Sequence, residues 1–224
     1  MKRWLSYLIF FLLIPVTVLG GAFIFKQKQY AFLSLCVTVF SCVPFFLHFE
    51  KKQSSAGQLI LIAVMVALSV LGRFIFAPLP GFKPITAMAV ITAMYFGSEA
   101  GFMTGALSAV LSNFYFGQGP WTPFQMFSWG MIGLLAGLMA EPLKRSKIVL
   151  TVFAFFSGVL YSLLMDVWTV LWADGYFNFS RYLAAILSAA QFTAVYAVSN
   201  VIFLLLLAKP IGKILNRVTI KYGL

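Results

Sequence analysis

Asp166 has the most chemistry to offer, because it is an acid placed where the solvent is lipid. It stands inside an apolar run, residues 148–173, long enough to cross a bilayer. A carboxylate there is costly unless it is paired or faces a cavity, so such residues mark functional positions by default. Two arrangements satisfy it. Asp166 lines a ligand cavity, or it pairs with Arg73, which stands at a similar depth in the run 56–76. Tyr161, Trp168 and Trp172 share the run of Asp166. Gln191, Tyr196 and Asn200 punctuate the run 182–208, and Asp174, Tyr176, Asn178 and Arg181 fill the connection between the two. A second group lies in FGQGPWTPFQM, residues 116–126. Thr122 and Pro123 read as a helix cap and first turn, and Trp121 as an interfacial aromatic. Gln125 and Trp129, one and two turns deeper, fit neither role. Apolar walls with a few placed polar groups are what a small-molecule site requires.

Other chemistries lack their residues. The chain has no G-x-x-x-x-G-K-[ST], no H-E-x-x-H and no G-x-S-x-G. Glu99, Glu141, Asp166 and Asp174 show no metal-ligand spacing. His48 is the single histidine, beside Glu50 at the end of a run, and Cys36 and Cys42 read as small core residues of one apolar run. No enzyme and no cofactor is implied.

The elements that must position these residues are membrane helices. Of 224 residues, 62% are hydrophobic and 9% charged, against about half and a quarter in a soluble domain. The apolar stretches are continuous rather than alternating, which excludes a porin-like barrel. Eight runs are marked: 4–25, 30–49, 56–76, 85–97, 100–116, 122–140, 148–173 and 182–208. The run 85–97 is too short to span at full width, so it is tilted against its neighbours or sunk in the protein. The first run begins like a signal peptide, but its length and the lack of a cleavage-like end read as a retained helix.

Charge sets the orientation. The net charge is +11, from 16 Lys+Arg against 5 Asp+Glu. With the N-terminus inside and eight crossings, eleven basic residues fall in the cytoplasm: Lys2, Arg3, Lys51, Lys52, Lys144, Arg145, Lys147, Lys209, Lys213, Arg217 and Lys221. Four fall outside: Lys26, Lys28, Lys83 and Arg181. This split predicts that both termini are cytoplasmic, and it explains the basic charge without nucleic acid. The polar linker EKKQSS, residues 50–55, divides a two-helix unit, 1–50, from a six-helix core, 56–210, which a basic tail, 211–224, follows. No internal repeat is visible, which argues against a transporter made of two inverted halves.

Four small-residue pairs stand four apart: Ala63 and Ala67, Gly101 and Gly105, Gly133 and Gly137, Ala185 and Ala189. Each lets two backbones approach closely. Packing within the chain is the default reading, and at least one pair is available to a partner protein.

Taken together, the six runs after Ser55, the Ala63-x-x-x-Ala67 pair, the loop GQGPWTPFQM and the basic tail resemble the substrate-binding S component of an energy-coupling factor (ECF) vitamin transporter, over about residues 56–210. Among S components the resemblance is to the cobalamin type. It implies an all-α integral membrane protein that captures a vitamin outside and releases it inside by toppling against a transmembrane coupling subunit energised by two ATPase subunits. It assigns Ala63 and Ala67 to the coupling subunit, and Trp121, Gln125, Asp166, Trp168, Asn178 and Gln191 to the vitamin. The two N-terminal runs depart from the six-helix pattern. The alternatives are an S component for a different vitamin or related micronutrient, or a self-sufficient secondary permease, although the core holds few charges near the midplane.

Overall fold

The structure is a computed structural model, and it describes Cys36 and residues 56–223. The expected two-helix unit at 1–50, the linker, Cys42 and His48 lie outside the described residues. Seven helices follow in order: α1 (Ala56–Ile75), α2 (Ile85–Phe96), α3 (Ser98–Phe116), α4 (Thr122–Leu138), α5 (Ala140–Arg145), α6 (Lys147–Asp174) and α7 (Phe179–Tyr222). No strand occurs among the described residues.

The boundaries follow from local chemistry. Gly97, at φ 94°, lets the chain turn from α2 directly into α3, a conformation that an L side chain rarely adopts. Pro123 occupies the first turn of α4, where its missing N–H costs nothing. The Ser146 hydroxyl accepts from the Val149 N–H and starts α6, and left-handed Gly175 ends it. The Asn178 side chain accepts from the Arg181 N–H and starts α7.

Helix α2 is the hub. Residues 85–94 are all buried, and α2 packs against α1, α3, α4 and α7. At 12 residues it is roughly 18 Å long, well short of the hydrocarbon thickness. Of the two expectations for this run, sunk in the protein is the observed one. Helices α1, α6 and α7 are long and apolar enough to cross a membrane by length and composition. Large apolar side chains such as Leu71, Ile148, Leu187 and Leu206 point outward, as they do where the surroundings are lipid.

Three details differ from expectation. Trp121, not Thr122, takes the N-cap position of α4, with no side-chain cap bond, and the Thr122 hydroxyl instead bonds Asn113 and Gln118. The run expected at 122–140 ends at Leu138, and the short helix α5 carries Glu141, Lys144 and Arg145 before α6 begins. Helix α7 continues through Pro210 to Tyr222, so the basic residues after 210 extend the last crossing as helix.

Three connections, residues 76–84, 117–121 and 175–178, meet at one end of the bundle, called here the site end. Residues 139–147 and the second half of α7 form the opposite, basic end.

Candidate functional site

The connection between α1 and α2 folds inward rather than capping the bundle. Phe76, Phe82 and Phe203 of α7 form a ring triad with centroids 4.9–5.6 Å apart. The Lys83 N–H donates to Ser199 Oγ at 3.0 Å, and that hydroxyl lies 3.3 Å from the Lys83 carbonyl. Gly81, at φ 80°, sits against Val195 and Tyr196. The ammonium of Lys83 is thereby held 6.0 Å from the Tyr196 ring centroid. Tyr196 is seventeen residues into α7, roughly 25 Å from its start.

Above this pinned loop the same face of α7 is open. Residues four apart share a helix face. Phe203, Ser199 and Tyr196 lie under the loop. Phe192 and Ser188 continue that face toward the site end and are exposed, as are loop residues Pro78, Leu79 and Pro80. The first half of α7 therefore presents this face openly, beside α6 on which it packs.

Beneath this face lies a buried layer of aromatic and polar side chains. Tyr161 of α6 stacks on Trp129 of α4, 4.9 Å between centroids and 9° between planes. Tyr196 meets Tyr161 edge-on at 5.0 Å. Arg73 comes in from α1, with only 8% of its surface exposed. Its guanidinium donates to Ser112 Oγ and, at 2.8 Å, to Asn113 Oδ1. It also lies 4.5 Å from the Phe116 centroid and 5.6 Å from that of Trp129. The Asn113 amide then donates to Thr122 Oγ1 at 2.9 Å and Gln125 Oε1 at 2.8 Å. This chain of bonds ties the ends of α1, α3 and α4 together, and it satisfies a cation that apolar surroundings would otherwise make very costly.

Asp166 is treated differently. It is 7% exposed, and its Oδ2 has no hydrogen-bond partner among the described residues. Arg73 is committed to Ser112, Asn113 and two rings, and no described ion pair joins it to Asp166. Of the two arrangements open in the sequence, the pair with Arg73 is therefore not the one observed. Asp166 stands five residues along α6 from Tyr161 toward the site end.

The other expected site residues divide. Gln125 joins the buried layer through Asn113, and Tyr161 lies near enough to interact with it. Trp168 is buried beside Phe124 and Trp172, at 5.2 Å from each ring. Trp121 is half-exposed, with its ring over Gly119. Gln191 is exposed on α7. Asn178 has a structural role, as the α7 cap. Ser112, Asn113, Phe116 and Lys83 escaped sequence reasoning as site residues. Polar Ser112 and Asn113 inside an apolar run were the available signal, since buried polar groups in lipid need partners.

The small-residue pairs also divide. A Cβ on Gly105 would overlap the Trp129 backbone, one on Gly133 the Gly101 carbonyl, and one on Gly137 the Ser98 backbone. The two glycine pairs are thus the seam between α3 and α4. Ala63 and Ala67 instead lie on an exposed face of α1 with Ile60, Val64 and Leu71.

The bundle thus joins outward-facing apolar flanks to a buried layer that holds Arg73, stacked rings and an acid whose Oδ2 has no partner among the described residues. Comparison with known families supplies the class. The family described as "ECF-type riboflavin transporter, S component" matches residues 53–217. The chain belongs to this family, whose members are multi-pass transporter subunits rather than enzymes. No curated protein and no solved structure matches the chain. The family description names riboflavin, and cobalamin, the vitamin expected from resemblance, gains no support.

Proposed function

We propose that this chain is the substrate-capturing subunit of a riboflavin transporter and that the site end takes the flavin, at the open face of α7 above Tyr196. The match of residues 53–217 to the riboflavin S-component family carries this reading. The chemistry of the site end is compatible with it. An isoalloxazine is flat, extended and π-rich, with amide-like edges, and it calls for aromatic faces beside hydrogen-bonding side chains. Tyr196 is the part-exposed ring, backed by the buried Tyr161–Trp129 stack, and part-exposed Gln125 and Lys83 supply polar groups near it. A ribityl chain brings hydroxyl donors, and the free Oδ2 of Asp166 is an acceptor for one. Trp121, Trp168 and Gln191 lie nearer the site end.

In this reading the site end faces outward and the basic end faces the cytoplasm, as the charge split predicts. The energy comes from a transmembrane coupling subunit and two ATPase subunits, consistent with the missing phosphate-binding loop. The exposed Ala63/Ala67 face of α1 is offered to the coupling subunit, where small residues permit close backbone approach.

The decisive experiment titrates the purified protein with riboflavin, following quenching of flavin fluorescence, with cobalamin in parallel. Saturable riboflavin binding without cobalamin binding is expected. Cobalamin binding alone would overturn the substrate. Uptake that proceeds without the energising subunits would overturn the division of labour and restore the permease.

A further inference from the structure

The flavin reading leaves the opposite end of the molecule unexplained. There a cavity of about 430 Å³ opens between the end of α2, the α5–α6 junction and the second half of α7. Lys144, Arg145, Lys147, Lys209 and Lys213 line it, and no acidic residue does. Glu141 lies outside the lining and pairs with Lys144 and Arg145 at 3.4 and 3.5 Å. Lys147, Lys209 and Lys213 have no ion-pair partner among the described residues. Lys209 and Lys213 are one turn apart on α7, and Leu205 and Gly212 share their side of the helix. Tyr95 closes the cavity from α2: its hydroxyl lies against Gly212 and its ring lies 5.2 Å from the Lys144 ammonium.

The walls change character along the cavity. Leu143, Leu150 and Ala208 are buried, whereas Leu205 is 45% exposed and continues onto the lipid-facing surface through Leu206 and Ile148. A ligand here meets clustered cations at one end and the bilayer at the other. A small soluble anion has no use for the second. A double-chain lipid with an anionic headgroup uses both, and basic pockets between membrane helices are suited to such headgroups.

We propose that this cavity binds the phosphodiester headgroup of an anionic glycerophospholipid, with Lys147, Lys209 and Lys213 contacting the phosphate and the acyl chains leaving past Leu205 and Leu206. The bound lipid would fix α7 against the α5–α6 junction, the region where the bundle is held by few other polar contacts among the described residues.

The test uses the full chain, delipidated in detergent and read by native mass spectrometry with phosphatidylglycerol or phosphatidylcholine added at equal concentration. At least a ten-fold preference for phosphatidylglycerol is expected. Lys209→Gln/Lys213→Gln should reduce that preference to near unity, and Lys209→Arg/Lys213→Arg should keep it. The control Arg217→Gln/Lys221→Gln removes two charges from the same helix outside the cavity and should also keep the preference. Riboflavin binding by each variant checks its fold independently of the lipid. Inorganic phosphate at millimolar concentration should not displace the lipid, and displacement would assign the site to a free anion. Equal binding of the two lipids, or equal loss in the control pair, would overturn the proposal. So would a Gln pair that keeps its lipid preference but loses uptake, which would assign the cavity to a protein partner.

Discussion

The glycine pairs of α3 and α4 and the alanine pair of α1 look alike in sequence but occupy opposite environments. Gly101, Gly105, Gly133 and Gly137 bring two helices so close that no Cβ fits between them. Ala63 and Ala67 lie exposed among the described residues, beside outward-facing Ile60 and Val64. Spacing fixes which side of a helix is smooth. It leaves open what the smooth side touches, and that depends on where the neighbouring helices fall. The first pairs hold the bundle together, and the second leaves a face on which another bundle can sit.

The largest effect should come from filling the seam. Gly133→Leu places a branched side chain where the Gly101 carbonyl stands, and the helices must separate. A loss of more than about 4 kcal/mol is expected, enough to prevent folding. Size-exclusion profiles and thermal unfolding in detergent would show aggregation or no cooperative transition. A stable, flavin-binding Gly133→Leu protein would end the distinction between the two kinds of pair.

The converse substitution sharpens it. Ala67→Trp adds bulk to an exposed face, so stability should change by less than about 0.5 kcal/mol. Riboflavin binding should stay within about two-fold, and uptake with the coupling and ATPase subunits should fall to background because the helices can no longer approach. Parallel loss of binding and uptake would make this pair an internal seam as well.

This contrast marks how far the sequence is legible. Helix positions were readable because lipid demands long uninterrupted apolar runs, whereas the cap role of Asn178 was missed because the residue was read as a ligand contact. The burial of residues 85–94 was half readable, since a run too short to span must be supported by protein. Asp166 and Gln125 were readable as polar groups at a depth where polarity is expensive. The inward fold of the 76–84 loop was not, because it depends on Phe82 finding Phe203 and Lys83 finding Ser199, more than 100 residues away. The partners of Arg73 were not readable for a related reason. Opposite charge suggested Asp166, whereas neutral oxygens of Ser112 and Asn113 and two rings satisfied the guanidinium.

Arg73 and Asp166 give the next comparison, a buried cation with partners and a buried acid with an oxygen that has none. Arg73→Ala strands Asn113 Oδ1 and should cost about 1–3 kcal/mol of stability. It should also weaken riboflavin binding, because Asn113 positions Gln125. Thermal unfolding of the ligand-free protein beside a flavin titration measures both. A variant as stable as the wild type would mean that the bonds to Ser112 and Asn113 contribute little.

A small effect on stability is expected at Asp166 as well. Asp166→Asn keeps the shape of the side chain and removes the charge. Since Oδ2 has no partner among the described residues, no ion pair is lost, and a buried carboxylate is replaced by a cheaper group. Ligand-free stability should hold or rise, by less than about 1 kcal/mol. Riboflavin affinity should fall about ten-fold, equivalent to about 1.4 kcal/mol, if the carboxylate accepts from a ribityl hydroxyl. The amide keeps one acceptor oxygen, so the loss is partial, and Asp166→Ala should lose more. Combining Asp166→Ala with Arg73→Ala separates the two sites thermodynamically. Unpaired groups should give stability changes that add to within about 0.5 kcal/mol. A double mutant markedly more stable than that sum would reveal a coupling that the geometry does not contain, and it would return Asp166 from the ligand to the structure.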